Sequence, residues 1–125
     1  MIQVVKRYFH AGDERGSIEG LINFGTWEEM NHITSVAGCV RGNHYHCETL
    51  EAFFILKGRI RVDARRVING HLAGPSVHFE AGPGDVFTID INVNHIFHVL
   101  EDASWMNFLS KRVCEESPDF HRPKS

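Results

Sequence analysis

Gly38-Cys39-Val40-Arg41-Gly42-Asn43-His44-Tyr45-His46-Cys47-Glu48-Thr49-Leu50-Glu51-Ala52-Phe53-Phe54-Ile55-Leu56-Lys57-Gly58 is the stretch on which the reading of this chain turns. On a β-strand, residues i and i+2 point to the same face. His44 and His46 therefore project side by side, and Tyr45 turns away to pack. Two imidazoles at that spacing can share one metal ion. Glu51 follows at an odd offset, which on one continuous strand would put it on the opposite face. A turn at Thr49-Leu50 or a neighbouring position must therefore separate two strands, and Glu51 then opens the second and adds a carboxylate. With nine histidines in 125 residues, about 0.6 His-x-His pairs are expected by chance. Requiring Gly38, Glu51 and Gly58 as well lowers the expectation to roughly 4 × 10⁻⁴.

The flanks are mostly β in pattern. Residues 51–56 form an apolar run of strand length, with Glu51, Phe53 and Ile55 on one face and Ala52, Phe54 and Leu56 on the other. After Gly58, residues 59–64 alternate strictly, so the arginines at 59, 61, 65 and 66 read as a solvated strand face. Asn69-Gly70 signals a tight hairpin. Further strands are expected at 17–23, 76–80, 85–91, 95–100 and 104–110, each bounded by Gly, Pro, Asn or Asp. No helical period is sustained. Thr26 and Glu29 fit a capping box, which predicts one helical turn at most. Residues 115–125 are polar with two prolines and read as an extended arm or frayed end. Many short strands joined by turns suggest a sandwich or barrel. The chain reads as one all-β domain over 1–125, its core about 15–112.

Composition narrows the function classes. Thirteen Lys plus Arg against sixteen Asp plus Glu leave a formal charge of −3, a poor basis for binding nucleic-acid phosphates. No apolar run approaches the ~20 residues of a membrane helix, and the first residues do not read as a signal peptide. Three cysteines, Cys39, Cys47 and Cys114, are an odd number without a CxxC spacing. Reduced thiols in the cytoplasm are expected. Cys47 sits beside the histidines and could be reactive; the plainer reading is a small half-buried residue.

The spacing Gly38-x5-His44-x-His46-x4-Glu51-x6-Gly58 resembles the first motif of the cupin superfamily at every fixed position. A second motif is recognisable at Gly84-x5-Asp90-x-Asn92-x2-His95-x3-Val99. It keeps the first glycine and the histidine but lacks the proline, second glycine and final asparagine of the family pattern. The register is supported by Gly82-Pro83-Gly84-Asp85-Val86, which is similar to the usual entry to that strand. The resemblance implies a double-stranded β-helix, or jelly-roll barrel. It also implies that His95 joins His44, His46 and Glu51 around one divalent metal ion. Zinc, iron, manganese and nickel all suit such ligands. His98, three residues beyond His95, is expected on the other face of the strand. His10, His32, His71, His78 and His121 read as structural or solvated.

Cupins host many activities. Asp13-x-Arg15-Gly16 followed by Arg41-Gly42-x-His44 is similar to cupins that epimerise or isomerise keto sugar nucleotides. Arg41 to Glu51 with Leu56-Lys57-Gly58 resembles the C-terminal cupin domain of bifunctional capsular-polysaccharide enzymes. These likenesses imply an isomerase or epimerase of a keto sugar nucleotide, with Arg41 and Arg15 as phosphate-binding residues. For Arg15 an ion pair with Asp13 competes with that role. In metal-free relatives a histidine of the His-x-His segment, here His44, would be the base; a metal-bound imidazole is not free for that, so the catalytic base stays unassigned. An Fe(II)-dependent dioxygenase and a non-catalytic small-ligand or sugar-binding domain are the alternatives. The apolar outer face of 51–56 could be covered by a second copy, which predicts a homodimer, or by the chain itself.

Overall fold

The computed structural model describes residues 1–124. It has eleven strands and no helix among them: β1 (Ile2–Val5), β2 (Phe9–Asp13), β3 (Gly16–Gly20), β4 (Glu29–Ser35), β5 (Val40–His44), β6 (Glu51–Lys57), β7 (Ile60–Ile68), β8 (His71–Ala81), β9 (Val86–Ile89), β10 (Val93–Val99) and β11 (Ala103–Leu109). Two antiparallel sheets face each other. One is ordered β1-β9-β6-β11-β4 and the other β5-β10-β7-β8. From β4 onward every connection except β7–β8 passes from one sheet to the other, which is the jelly-roll arrangement of a cupin barrel. The edges β4 and β5 leave the barrel open between them.

The inward faces alternate as the sequence pattern requires. Phe53, Ile55, Ile60, Val62, Phe87, Phe97 and Trp105 fill the space between the sheets. Phe53 stacks on Phe87 at 5.0 Å between ring centroids, and Phe97 meets Trp105 edge-on at 5.0 Å. This packed aromatic layer supports one end of the barrel, where the polar residues gather.

Two glycines of the first motif are fixed by geometry. Gly58 carries the chain from β6 to β7 at φ +91°, and a Cβ there would lie 2.4 Å from the Asp102 carbonyl oxygen. Gly42 has φ +87°, and a Cβ would lie 2.6 Å from the His95 carbonyl oxygen. With Asn43 at φ +61° it forms a bulge against β10, between the pairs His95–His44 and Ile96–Gly42. The Asn69-Gly70 hairpin forms with both residues at positive φ, as a primed turn demands.

The altered second motif folds in the expected register. Asn92 replaces the glycine at φ +57°, a conformation asparagine adopts more readily than most side chains. Asp90 replaces the proline and donates its backbone N–H to the Met1 carbonyl at 3.1 Å, a bond proline could not make. Val99 packs in the core where the family has asparagine.

Several elements differ from expectation. No helical turn forms at residues 26–30. Glu29 instead begins β4, and its carboxylate accepts from Asn31 Nδ2 and from the Val113 backbone N–H. The strand expected at 17–23 forms only over Gly16–Gly20, as β3, and residues 21–23 leave it; β3 pairs with the unanticipated β2 in a hairpin bonded to neither barrel sheet. β1 precedes the expected core and pairs with β9. Residues 118–121 are neither frayed nor extended away; they fold back onto the barrel, with Tyr45 and His121 exchanging backbone bonds at 2.9 and 3.0 Å. The outer face of β6 is covered in part by the chain's own Leu21 and Ile22, which face Ala52 and Phe54.

Candidate metal centre

His44 ends β5, the turn at 47–50 reverses the chain, and Glu51 starts β6 with its side chain facing inward. The separation of His46 from Glu51 by a turn is thus what makes their side chains converge. His46 is tied down by its own carbonyl, which accepts from the Asn92 N–H at 2.7 Å. His95 enters from β10, directly paired with His44. One ligand atom from each of the four residues lies within 4.8 Å of all the others. His95 is 1% exposed and Glu51 5%.

The hydrogen bonds around these rings fix the orientation of two of them. His46 Nδ1 bonds the Asp119 carbonyl, and His95 Nδ1 bonds the Val93 carbonyl at 3.0 Å. A ring donating from Nδ1 carries its lone pair on Nε2 when neutral. Both Nε2 atoms face Glu51 Oε1, at 2.9 and 3.2 Å. None of these three atoms, nor His44 Nδ1, finds a properly angled hydrogen-bond partner. Buried lone pairs aimed at a carboxylate oxygen repel unless a positive species lies among them. The donor set of three imidazoles and one carboxylate fits a divalent cation. The other carboxylate oxygen, Oε2, accepts from Asn107 Nδ2 at 3.0 Å, and Asn107 is in turn bonded by Asn31. Such outer partners orient a metal ligand.

The electrostatics separate His44 from His46. Burial and the neighbouring imidazoles push the His44 pKa down to about 4, so this ring is neutral and able to ligate. Burial would also lower His46, but the Glu51 carboxylate and the Asp119 carbonyl outweigh it and raise its pKa. Burial alone would raise Glu51; His46 and His95 hold it below the usual carboxylate range.

The expected phosphate-binding residues lie elsewhere. Arg15 sits in the β2–β3 hairpin, its guanidinium pairing with Asp13 at 2.6 Å, which is the competing reading realised. Arg41 stretches from β5 to the end of β4, donating to Ser35 Oγ at 2.7 Å and the Thr34 carbonyl at 2.9 Å. It lines a cleft of about 640 Å³ with Lys57 and Asp102, among others. Among the described residues neither arginine makes a hydrogen bond or ion pair to His44, His46, Glu51 or His95. Cys47 is exposed and not half-buried, and slight desolvation of its thiol, with Asp119 and Glu48 nearby, raises its pKa, the opposite of a reactive thiolate. His98 faces outward to Asp63 at 2.9 Å.

Asp119, Phe120 and His121 were not anticipated beside the centre. Phe120 lies 4.2 Å from the His44 ring, and His121 Nε2 lies 3.0 Å from Asp119 Oδ1. The one usable signal was an apolar Phe120 between Asp119 and His121 in an otherwise polar tail.

Residues 11–114 match the family described as the polysaccharide biosynthesis C-terminal domain. The chain belongs to that family. All four candidate ligands lie inside the matched span of the polysaccharide biosynthesis C-terminal domain, and the 118–121 segment lies beyond it. Comparison with curated proteins found no match. Among solved structures, the chain is similar to the 3,4-ketoisomerase QdtA from Thermoanaerobacterium thermosaccharolyticum, a double mutant in complex with TDP. That match has 17% identity and a TM-score of 0.73, and covers 97% of this chain and 86% of that one. It is similar to the capsular polysaccharide assembling protein CapF from Staphylococcus aureus at 20% identity and a TM-score of 0.68, covering 94% of this chain and only 34% of that one. It is also similar to a dTDP-4-dehydrorhamnose 3,5-epimerase from Sulfolobus tokodaii, with 25% identity, a TM-score of 0.69, and coverage of 86% and 69% respectively. These likenesses establish the cupin fold. No helix among the described residues is long and apolar enough to cross a membrane.

Proposed function

We propose that this protein binds one divalent metal through His44, His46, Glu51 and His95 and isomerises or epimerises a keto sugar nucleotide during polysaccharide synthesis. The observation that carries the reading is the group of four buried, inward-facing ligand atoms without hydrogen-bond partners. The family match, and the sugar-nucleotide activities named for two of the structures above, supply the substrate class. Both reactions remove a proton next to a carbonyl. The metal, when bound, polarises that carbonyl and stabilises the negative charge that develops on its oxygen.

The chain's own residues do the rest. Asn107 and the two backbone carbonyls hold the ligands in place. Phe120 offers an apolar ring face beside His44, and the adjoining cleft of about 340 Å³, lined by Thr49, Leu109, Val113 and Phe120 among others, is of a size for a sugar ring. Arg41 lies in a separate cleft between the sheet edges, where a diphosphate could reach it. The same reading puts the protein in the cytoplasm, where its free cysteines stay reduced.

The test is solvent exchange. Metal-loaded protein incubated in D₂O with dTDP- and UDP-linked 4-keto-6-deoxyhexoses is expected to incorporate deuterium at the carbon next to the carbonyl, read by mass spectrometry. Absence of exchange with both, together with oxygen uptake by the iron-loaded protein, would replace this reading with a dioxygenase.

A further inference from the structure

We propose that Asp119 is a positioning residue of the metal centre, and that docking of the 118–121 segment and metal binding strengthen each other. The proposal rests on reading His44, His46, Glu51 and His95 as a metal site. β4 and β5 are each an edge strand of their sheet and no strand pairing joins them, so the barrel is open on that side. The chain beyond β11 crosses this opening. On the β4 side, the Val113 N–H donates to Glu29 Oε1 at 3.0 Å. On the β5 side, Arg122 Nη1 donates to the Asn43 carbonyl at 3.2 Å, and His121 pairs with Tyr45.

Asp119 makes two different connections between those anchor points. Its backbone carbonyl accepts from His46 Nδ1 and so sets which nitrogen of that ring faces Glu51. Its carboxylate accepts from the backbone N–H of Cys47 at 2.8 Å and of Glu48 at 2.7 Å, and from Thr49 Oγ1 at 3.0 Å. Those three donors form the turn that separates His46 from Glu51. A brace on that turn fixes the distance between two ligands. His121 Nε2 lies 3.0 Å from Oδ1 as well. With these partners on its carboxylate, Asp119 is a brace and not a ligand, although Cys47, Asp119 and His121 are themselves grouped closely enough to suggest a second ion.

Undocked, the segment would leave His46 free to rotate and the turn's donors without their partner. If docking raises metal affinity by some factor, metal raises docking by the same factor. The experiment uses the full chain and zinc alone, with affinity measured by competition against a chromophoric chelator. Asp119→Ala is expected to weaken zinc binding by about 10–100-fold. Asp119→Asn, which keeps one acceptor oxygen, is expected to recover part of that loss. Zinc is expected to slow chymotryptic cleavage after Phe120 in the wild type, by about the same factor, and to leave the cleavage rate of Asp119→Ala unchanged. Thr49→Val in the full chain, which removes one of the three donors to the Asp119 carboxylate, repeats the affinity test should Asp119→Ala unfold. Zinc affinity within twofold of wild type in these variants, or wild-type cleavage indifferent to zinc, overturns the proposal. A wild type that binds no divalent metal overturns both this and the metal reading; a wild type that binds while the variants bind equally overturns this alone.

Discussion

At the scale of single residues, Glu51 is the point on which the centre balances. It is a buried carboxylate with lone pairs of His46 and His95 aimed at one oxygen and an amide donor on the other. Elemental mass spectrometry of untagged protein is therefore expected to find close to one equivalent of divalent metal, and none in a His44→Ala/His46→Ala double variant. Metal retained by that variant, or none in the wild type after reloading, would return His44 to the role of a free base. A second residue-scale prediction concerns Asp63 on the outer face. Its oxygens meet His78 Nδ1 at 2.6 Å, Arg61 Nε at 3.0 Å and His98 Nε2 at 2.9 Å. Burial would raise its pKa, but His78 and Arg61 outweigh that and lower it. A lowered carboxylate contributes stability above its unfolded value, near 4, and loses it as pH falls through the folded value. Urea unfolding should show Asp63→Asn less stable than wild type at pH 6, with the gap closing below about pH 4. A gap that is constant with pH would rule out the charge as its source.

At the scale of elements, the turns decide more than the strands. Gly58→Ala would force a side chain into φ +91° and against the Asp102 carbonyl. It is expected to cost more than ~2 kcal/mol in denaturant unfolding, and a loss within 0.5 kcal/mol of zero would show that the β6–β7 turn has room to shift. The strands flanking this turn were legible because period-2 alternation over 51–56 and 59–64 is a local signal. β4 was not, because Met30 and Thr34 point out while Asn31, Ile33 and Ser35 point in, and an inward asparagine disguises the alternation. Asn31 faces inward because it reaches Asn107 and, through it, Glu51. The His44–His46–Glu51 part of the centre was legible from spacing and His95 from family resemblance. The contribution of Asp119 was hidden: its contacts lie more than seventy residues away along the chain, and no periodicity links them.

At the scale of the whole molecule, the β2–β3 hairpin stands apart from the barrel and exposes Phe9 and Ile18, the latter at 67%. Apolar side chains held out on an arm favour a second copy of the chain as their cover, and the homodimer is expected on that ground rather than on the outer face of β6. Light scattering after gel filtration is expected to give twice the 14.2 kDa of the chain; a 14.2 kDa particle would exclude the dimer. The sheet order carries a further consequence, for time rather than stability. In the order β1-β9-β6-β11-β4 no two neighbours are joined by a hairpin. Each pairing must close a long loop before it gains anything in return. Chains of such topology fold in roughly milliseconds to seconds. The β7–β8 hairpin can form early and alone, but the barrel end that gathers His44, His46, Glu51 and His95 exists only once distant strands have met.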